Sequence, residues 1–501
     1  MLGDPGAYTI RLTPSTVPYV VFVGAVLIAY FGVAPRWRWV AVVVASVLFY
    51  LGWAAPGAVA GMLALVLLAH LSARAMRSRP RLKLLWCTVG VVGSIGTLAV
   101  LKYFDFFAAE AARLLSALGV QAHAPQLGLL LPVGYSFLVF SVTSYVVDVY
   151  RGKLEPAGLG ELAAYLTFFP KLLAGPIERA THFLPQWRER LGFDSEKVVM
   201  GTNLILWGLF KKVVIADRLA PFVDRAYETP AFSTPIDLIV GTYFYAFQIY
   251  CDFSGYTDIA IGAILLFGIA LDVNFHHPYL SRSVPEFWNS RWHISLGRWF
   301  RDYVYIPLGG NRRGRFRTYL NVMIVFVLSG IWHAGMVEAS VGWNFALWGA
   351  INGAYVVLWN ACSAVWGSLK ARYPRLRRID DLPGVYPLQA LLTFHLILLS
   401  WVFFRAANIA DAWTVITQVA NNVGNLPMLA RFYPFTSFEF VLSVGLIVFL
   451  LVVEASTDRR PLVDRLLRAP TAARWATGFV LAGALLVLGK WGTQTFIYMQ
   501  F

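Results

Sequence analysis

Long apolar segments recur along the whole chain and constrain its fold more than any other feature. A helix that crosses the hydrocarbon core of a bilayer needs about 20 mostly apolar residues. Segments that approach this requirement lie at 18–35, 39–55, 57–73, 84–101, 128–149, 201–216, 236–250, 259–271, 319–334, 343–362, 386–404, 438–454 and 476–491. Some are short or rich in glycine, so we expect about eleven to thirteen membrane helices, some of them tilted or re-entrant. The sequence therefore predicts an all-α polytopic membrane protein.

Composition agrees with a membrane location and excludes several classes of protein. Hydrophobic residues make up 58% of the chain and charged residues only 14%, whereas about a quarter of the residues in a soluble domain are charged. The net charge of +15 is interpreted as an excess of arginine in cytoplasmic loops, because the chain is so apolar. These values exclude a soluble enzyme, a disordered scaffold and a nucleic-acid-binding protein, so no nucleic acid partner is expected.

The distribution of charge predicts the orientation of the chain in the membrane. Asp4 precedes the first apolar segment, and Arg36 and Arg38 follow it. We therefore expect an uncleaved first helix whose N-terminus starts outside the cytoplasm. Later basic loops at 74–83, 370–378 and 459–474 agree with that start. Continued alternation directs the last segment outward and places the C-terminal residues on the extracytoplasmic side.

The stretch 272–318 is neither cleanly apolar nor typical of a loop. It carries Trp288, Trp292 and Trp299 among eight arginines. Tryptophan interleaved with arginine is typical of a helix that lies in the membrane interface. The following segment, 307–314, is rich in glycine and arginine and predicts a turn or a re-entrant loop.

Two histidines are candidates for proton transfer. His333 ends an apolar segment, and an ionisable side chain at that depth indicates a functional site because its burial is costly. His293 lies in the predicted interfacial helix, one helical repeat after Glu286. Position alone leaves another interpretation open for both, that of a hydrogen-bond partner between helices. No spacing of the HExxH type occurs, so no metal site is expected.

A series of further motifs runs from about residue 130 to the C-terminus. Its members lie at 131–136, 144–152, 169–177, 208–216, 248–262, 274–282, 286–296, 301–313 and 400–405. Together they resemble the membrane-bound O-acyltransferase family, in the branch that acetylates alginate and related secreted polysaccharides. The resemblance implies a ring of tilted helices around a central funnel. It also implies one integral membrane domain over 1–501, with N-terminal helices at 1–125, a catalytic core at 126–460 and the last helix and tail at 461–501.

The same resemblance implies roles for particular residues. His333 follows Gly-x-Trp and matches the essential histidine of the family, and His293 matches a second polar position in the same tunnel. The implied reaction is O-acetyl transfer from cytoplasmic acetyl-CoA, with no permanently bound cofactor. Arg312, Arg313, Arg315 and Trp292 are the residues that we expect at the donor site. For the arginines, a purely topological role explains their position equally well.

The C-terminal residues 496–501 resemble the Phe-x-Tyr-x-x-Phe ending of polysaccharide-acylating members. This resemblance implies that Tyr498 receives the acyl group and passes it to an extracytoplasmic partner of the SGNH type, which acts on the polysaccharide. An aromatic membrane anchor is the alternative for Tyr498. One departure concerns the tryptophan that the family usually places four residues after its histidine. Here Trp343 follows His333 by ten residues, so the chain departs from the family pattern at one wall of the pocket.

Several functions remain open at this point. The expected activity is O-acetylation of a secreted polysaccharide from the bacterial inner membrane. D-alanyl transfer to teichoic acid is a close alternative, but those systems usually carry the C-terminal motif on a separate peptide. Peptidoglycan O-acetylation shares the core motifs. A secondary transporter would favour paired halves with interrupted helices in corresponding positions, and no such pairing is visible.

Overall fold

The computed structural model describes residues 12–129, 131–189, 192–334, 339–380, 382–431, 433–458, 469–491 and 496–497. The described residues are 79% helical and contain no β-strand. The α-helices are α1 Val17–Gly32, α2 Arg38–Leu51, α3 Pro56–Ser78, α4 Lys83–Leu98, α5 Phe104–Ala117, α6 Tyr135–Tyr150, α7 Leu159–Thr167, α8 Phe169–Leu172, α9 Ala180–Arg188, α10 Ser195–Leu209, α11 Asp217–Tyr227, α12 Pro235–Leu266, α13 Val284–Glu286, α14 Ile294–Phe300, α15 Gly314–His333, α16 Ala339–Arg372, α17 Arg377–Asp380, α18 Val385–Arg405, α19 Ile409–Asn421, α20 Leu426–Ala430, α21 Phe438–Thr457 and α22 Thr471–Leu488. The prediction of an all-α protein is confirmed.

Within the described residues, eight helical stretches are long and apolar enough to cross a membrane. They are Pro56–Ser78, Pro80–Ala117, Ser195–Tyr227, Pro235–Leu266, Gly342–Arg372, Val385–Arg405, Phe438–Thr457 and Thr471–Leu488. Shorter apolar helices lie at Val17–Gly32 and Tyr135–Tyr150. Two of the predicted segments, 236–250 and 259–271, form a single helix, α12, up to Leu266. The intervening polar residues do not break this helix because their side chains find partners inside the protein.

Buried ion pairs explain how α12 tolerates those polar residues. Lys211 and Lys212 lie in a π-helical segment, Phe210–Ala216, which joins α10 to α11. Lys211 pairs with Asp258 at 2.6 Å, and Lys212 pairs with Asp252 at 2.6 Å. A buried charge is tolerated in a protein interior when it is paired and hydrogen-bonded. These two ion pairs therefore join the segment between α10 and α11 to α12.

Glycines let the helices that carry the site approach closely. A methyl group added at Gly330 of α15 would lie 2.2 Å from the carbonyl oxygen of Phe345 in α16. One added at Gly349 of α16 would lie 2.3 Å from the carbonyl oxygen of Phe326. Small residues at such crossings allow backbones to pack together in a membrane. The pair α15 and α16 is therefore held together next to the C-terminal end of α15, where His333 lies.

The stretch 272–318 differs from the predicted interfacial helix. It is broken into short pieces, including α13, α14 and π-helical segments at Phe287–Arg291 and Arg301–Tyr305. Trp292 and Trp299 are buried, so they pack in the interior instead of lying in the interface. Residues 306–313 form the predicted turn. The interfacial-helix interpretation was wrong because the aromatic rings find partners on neighbouring helices, as in the stack of Trp299 on Phe140 at 4.0 Å.

Candidate active site

A cavity of about 480 Å³ lies between the broken segment 285–305 and the helices α15 and α16. Its volume falls in the range of small-molecule sites, about 300–1,000 Å³. The residues that α15 contributes share one face of that helix: Thr318, Val322, Val325, Phe326, Ser329 and His333. From Thr318 to His333 this face extends about 22 Å along the helix axis, at about 1.5 Å per residue. The cavity therefore suits an extended ligand whose end lies at His333.

His333 is held in one tautomer by the end of its own helix. Its side chain is buried, and Nδ1 lies 2.8 Å from the carbonyl oxygen of Ser329. A carbonyl oxygen only accepts hydrogen bonds, so Nδ1 carries the proton in the neutral ring. The basic lone pair is then on Nε2. This is the arrangement that a general base requires.

Aromatic rings fix the orientation of the imidazole. The ring of Trp348 packs edge-on against His333 with centroids 5.3 Å apart, and that of Phe404 does so at the same distance. The sequence prediction concerned a different tryptophan, Trp343, which is 43% exposed and packs near Phe106. Sequence reasoning missed Trp348, because α16 brings it back to the histidine through tertiary packing. The six-residue departure itself falls largely on 335–338, outside the described residues.

His293 also lines the large cavity, but its local structure differs from the prediction. It is not in a helix: it has a left-handed backbone, φ 44°, just before α14. The expected alignment with Glu286 on one helix face is therefore wrong, and Glu286 instead pairs with Arg291 at 2.8 Å. Few residues other than glycine adopt this conformation, and it costs about 1–3 kcal/mol. Such strain at a cavity wall is typical of functional sites.

Asn274 secures the strained position of His293. Its Oδ1 lies 3.2 Å from Nδ1 of His293 and accepts hydrogen bonds from the backbone and hydroxyl of Ser295, at 3.1 and 2.9 Å. The ring of Phe253, on α12, packs edge-on against His293 at 4.8 Å. Because Nδ1 of His293 donates to Asn274, its Nε2 has the lone pair in the neutral ring. The structure thus brings the two predicted histidines together on one cavity.

The expected donor-site residues are separated by the structure. Trp292 is buried and lines the large cavity. Arg312, Arg313 and Arg315 are exposed, at the end of the turn and the start of α15, and do not line it. Two other arginines, Arg298 and Arg301, do line the cavity. Both are exposed at the rim of the cavity, where Arg298 pairs with Asp272 and Arg301 with Asp302, each at 2.9 Å. The sequence shows them only as part of the basic stretch, because the short helices that carry them leave no periodic signal.

A second, much smaller cavity meets the large one at His333. Its volume is about 10 Å³, close to the size of one water molecule, about 10–15 Å³. Its wall combines the loop before α6, the start of that helix and the end of α15. The lining residues are Lys102, Leu131, Pro132, Gly134, Tyr135, Ser136, Phe137, Leu173, Trp332 and His333. His333 is therefore in the wall between two compartments of very different size.

The C-terminal tail returns to the protein interior. Phe496 is 1% exposed; its ring packs edge-on against Tyr256 at 5.1 Å and lies 4.5 Å from the ammonium of Lys212. The backbone N–H of Ile497 donates to Oδ2 of Asp252 at 2.7 Å. Tyr498 itself lies outside the described residues. The Asp252–Tyr256 segment of α12 thus binds Phe496 and Ile497, the two residues that precede Tyr498.

Tyr256 connects the tail to the smaller cavity. Its hydroxyl donates to the carbonyl oxygen of Pro170 at 3.2 Å, at the start of the 169–177 motif. Leu173, in the same motif, lines the smaller cavity. Upstream of the tail, the N–H of Lys490 donates to the carbonyl oxygen of Val213 at 2.9 Å. The chain after α22 is therefore attached at two places to the core of the protein.

One group of metal-ligand type occurs within the described part of the chain. Atoms of Glu178, His182 and Asp272 lie within 4.8 Å of one another. Hydrogen bonds already join them: His182 Nδ1 to Glu178 Oε1 at 2.6 Å, and Asp272 N–H to Glu178 Oε2 at 3.1 Å. The hydrogen bond to Glu178 raises the pKa of His182. This network ties the end of the 169–177 motif, where Glu178 follows, to the start of the stretch 272–318. The expectation that the protein has no metal site stays a prediction.

Comparison with known proteins identifies related chains. The profile of the membrane-bound O-acyltransferase family matches residues 135–367. "Probable alginate O-acetylase AlgI" of Azotobacter vinelandii is 38% identical over 66% of this chain and 61% of its own length. The protein of the same name from Pseudomonas aeruginosa is 35% identical over 80% of this chain and 73% of its own length. A "Peptidoglycan O-acetyltransferase" of Helicobacter pylori is 33% identical over 67% of this chain and 64% of its own length.

Proposed function

Because the chain belongs to the membrane-bound O-acyltransferase family, we propose that it moves acetyl groups from cytoplasmic acetyl-CoA across the bacterial inner membrane. The acetyl groups serve the O-acetylation of a secreted or cell-wall polysaccharide, of the alginate type. The observation that carries this proposal is the position of His333 between the large and the small cavity. A base in such a wall can act on a donor in one compartment and an acceptor in the other.

The large cavity is the proposed donor site. It extends about 22 Å along α15, which suits the extended arm that carries the thioester of acetyl-CoA. Arg298 and Arg301 line the cavity, and Arg312, Arg313 and Arg315 are exposed near the adjacent turn. All five arginines lie close to the turn that the positive-inside rule assigns to the cytoplasm. Arginine binds phosphate groups through several donors at once, so these residues attract the nucleotide end of the donor.

The chemical step needs one base and good positioning, because a thioester is already activated. Nε2 of His333 takes the proton from the acceptor hydroxyl, and the acceptor oxygen attacks the thioester carbonyl carbon. The carbon–sulfur bond then breaks, and the thiolate leaves with the proton from the imidazolium. General base catalysis of this kind contributes about 10²–10⁴-fold. His293 and Trp292 line the same cavity and orient the acyl group.

The tail supplies the first acceptor. Phe496 and Ile497 are bound beside Tyr256, which contacts the motif that lines the smaller cavity. The phenol of Tyr498 receives the acetyl group, and an extracytoplasmic SGNH-type partner then transfers it to the polysaccharide. Presence of the tail on this chain supports polysaccharide acetylation over D-alanyl transfer. Peptidoglycan is the second candidate acceptor, because the relative from Helicobacter pylori carries that name.

The proposal is tested by release of CoA from acetyl-CoA with purified protein. We expect the wild type to release CoA and His333→Ala to lose this activity while it keeps its unfolding temperature. His395→Gln is the matched control, since His395 is exposed and bonded to Tyr243 on another face. Turnover by His333→Ala at the wild-type rate would overturn the role of His333. No CoA release by the wild type would favour a carrier-protein donor or a transporter.

A further inference from the structure

Lys102 is buried next to His333 without a charged partner. Its side chain is 4% exposed and belongs to the π-helical segment Ala99–Tyr103, between α4 and α5. Its ammonium donates to the carbonyl oxygen of Trp332, the residue before His333. Within the described residues no carboxylate forms an ion pair with it. An ammonium has three donors, so one carbonyl leaves most of its hydrogen-bonding capacity unused. The rings of Tyr103 and Trp332, whose centroids lie 5.7 and 5.4 Å from the ammonium, offset only part of its charge.

Helix capping explains only part of this arrangement. The carbonyl groups at the end of α15 favour a nearby cation, and Lys102 lies about where such a cation would bind. However, the hydroxyl of Tyr103 donates to the same carbonyl oxygen at 3.2 Å. A neutral donor therefore already serves that acceptor. Burial of an unpaired charge is destabilising, and retention of one at this position indicates a function.

The location of Lys102 indicates what the charge acts on. Lys102 and His333 both line the smaller cavity, whose volume matches one oxygen-sized group. Negative charge develops in this region when the acceptor hydroxyl loses its proton to His333. A fixed positive charge in a buried site stabilises such charge strongly, because bulk solvent screens it little.

We propose that Lys102 is a catalytic residue that stabilises the acceptor oxygen during acyl transfer. The acceptor oxygen enters the smaller cavity and accepts a hydrogen bond from the ammonium. His333 takes its proton, the oxygen–carbon bond forms and the carbon–sulfur bond of the thioester breaks. Lys102 stays protonated throughout, and the thiolate leaves with the proton held by His333. This inference rests on the proposed function and adds to it the group that stabilises the negative charge on the acceptor oxygen.

Three variants separate charge from structure. Lys102→Met keeps the length of the side chain without charge, and Lys102→Arg keeps the charge. Tyr103→Phe is the matched control: it removes the other hydrogen bond to the Trp332 carbonyl, and Tyr103 does not line the smaller cavity. The measurement is single-turnover transfer from labelled acetyl-CoA to Tyr498, located by peptide mass spectrometry, together with thermal unfolding in detergent.

We expect Lys102→Met to lower the rate by about 10²–10³-fold, as for loss of a donor to an oxyanion. The acetyl-CoA concentration that gives half of the maximal single-turnover rate stays unchanged. The unfolding temperature does not fall, because a buried charge has been removed. Lys102→Arg retains more activity than Lys102→Met, and Tyr103→Phe transfers like the wild type. Transfer by Lys102→Met at the wild-type rate would overturn this inference alone. Equal losses of activity and stability in Lys102→Met and Tyr103→Phe would show a capping role instead. Absence of transfer by the wild type would overturn the proposed function and this inference with it.

Discussion

Replacement of Phe496 with alanine tests whether the tail must be bound before transfer. The ring is 1% exposed, packs on Tyr256 and lies 4.5 Å from the Lys212 ammonium. Truncation of a buried phenylalanine costs about 3–5 kcal/mol. Because Phe496 follows the last described helix, α22, and belongs to the segment that binds to α12, this cost falls on docking of the tail and not on folding of the helices. The lower value corresponds to about a hundredfold weaker docking, at about 1.4 kcal/mol per tenfold.

The assay follows acetylation of Tyr498 from labelled acetyl-CoA over time. We expect Phe496→Ala to slow this labelling by about a hundredfold or more, while binding of acetyl-CoA is kept. Phe479→Ala is the control, because Phe479 lies on the preceding helix, α22, and is 70% exposed. Labelling of Tyr498 in Phe496→Ala at the wild-type rate would refute the reasoning, because docking through the Asp252–Tyr256 segment would then be irrelevant to transfer.

Three further predictions concern other parts of the site. Asn274→Ala leaves the buried donors of Ser295 unpaired, at a cost of about 1–3 kcal/mol, and we expect both lower thermal stability and slower transfer; transfer at the wild-type rate would contradict a role for the His293 position. Trp348→Ala removes the ring that packs against His333 and should lower the transfer rate more than Trp348→Phe does. Equal transfer rates in the two variants would show that this contact is dispensable. The raised pKa of His182 means that its pairing with Glu178 stabilises the fold fully below about pH 6.5 and is lost as the pH rises through the higher folded pKa. Wild-type protein should therefore lose stability over that window, and His182→Gln should not; parallel pH profiles in thermal unfolding would contradict this.

Hydrophobic patterning predicted the fold class because the bilayer requires long apolar helices whose backbone groups are paired internally. It could not show that 236–250 and 259–271 form one helix. That continuity depends on ion pairs such as Lys212 with Asp252, which join residues 40 positions apart. The pairing partners are visible in the sequence, but their contact depends on how α10 and α12 pack.

The candidate site was predictable to the extent that its residues belong to motifs. His333 and His293 were singled out, and the structure places both on one cavity. Lys102 was missed, because a lysine in an apolar segment resembles an ordinary loop charge until its neighbours are known. The helical interpretation of His293 failed for a local reason: a single left-handed residue ends one segment and starts another, and periodicity does not reveal such a break.

The central proposal is that His333 acts as the base for acetyl transfer from the large cavity to Tyr498 of the tail. The most direct test is the mass of the C-terminal peptide after the wild type and His333→Ala are each incubated with acetyl-CoA. If this proposal holds, Tyr498 carries one acetyl group in the wild type and none in His333→Ala, with both proteins folded. An acetyl group on Tyr498 in His333→Ala, at the wild-type level, would contradict it.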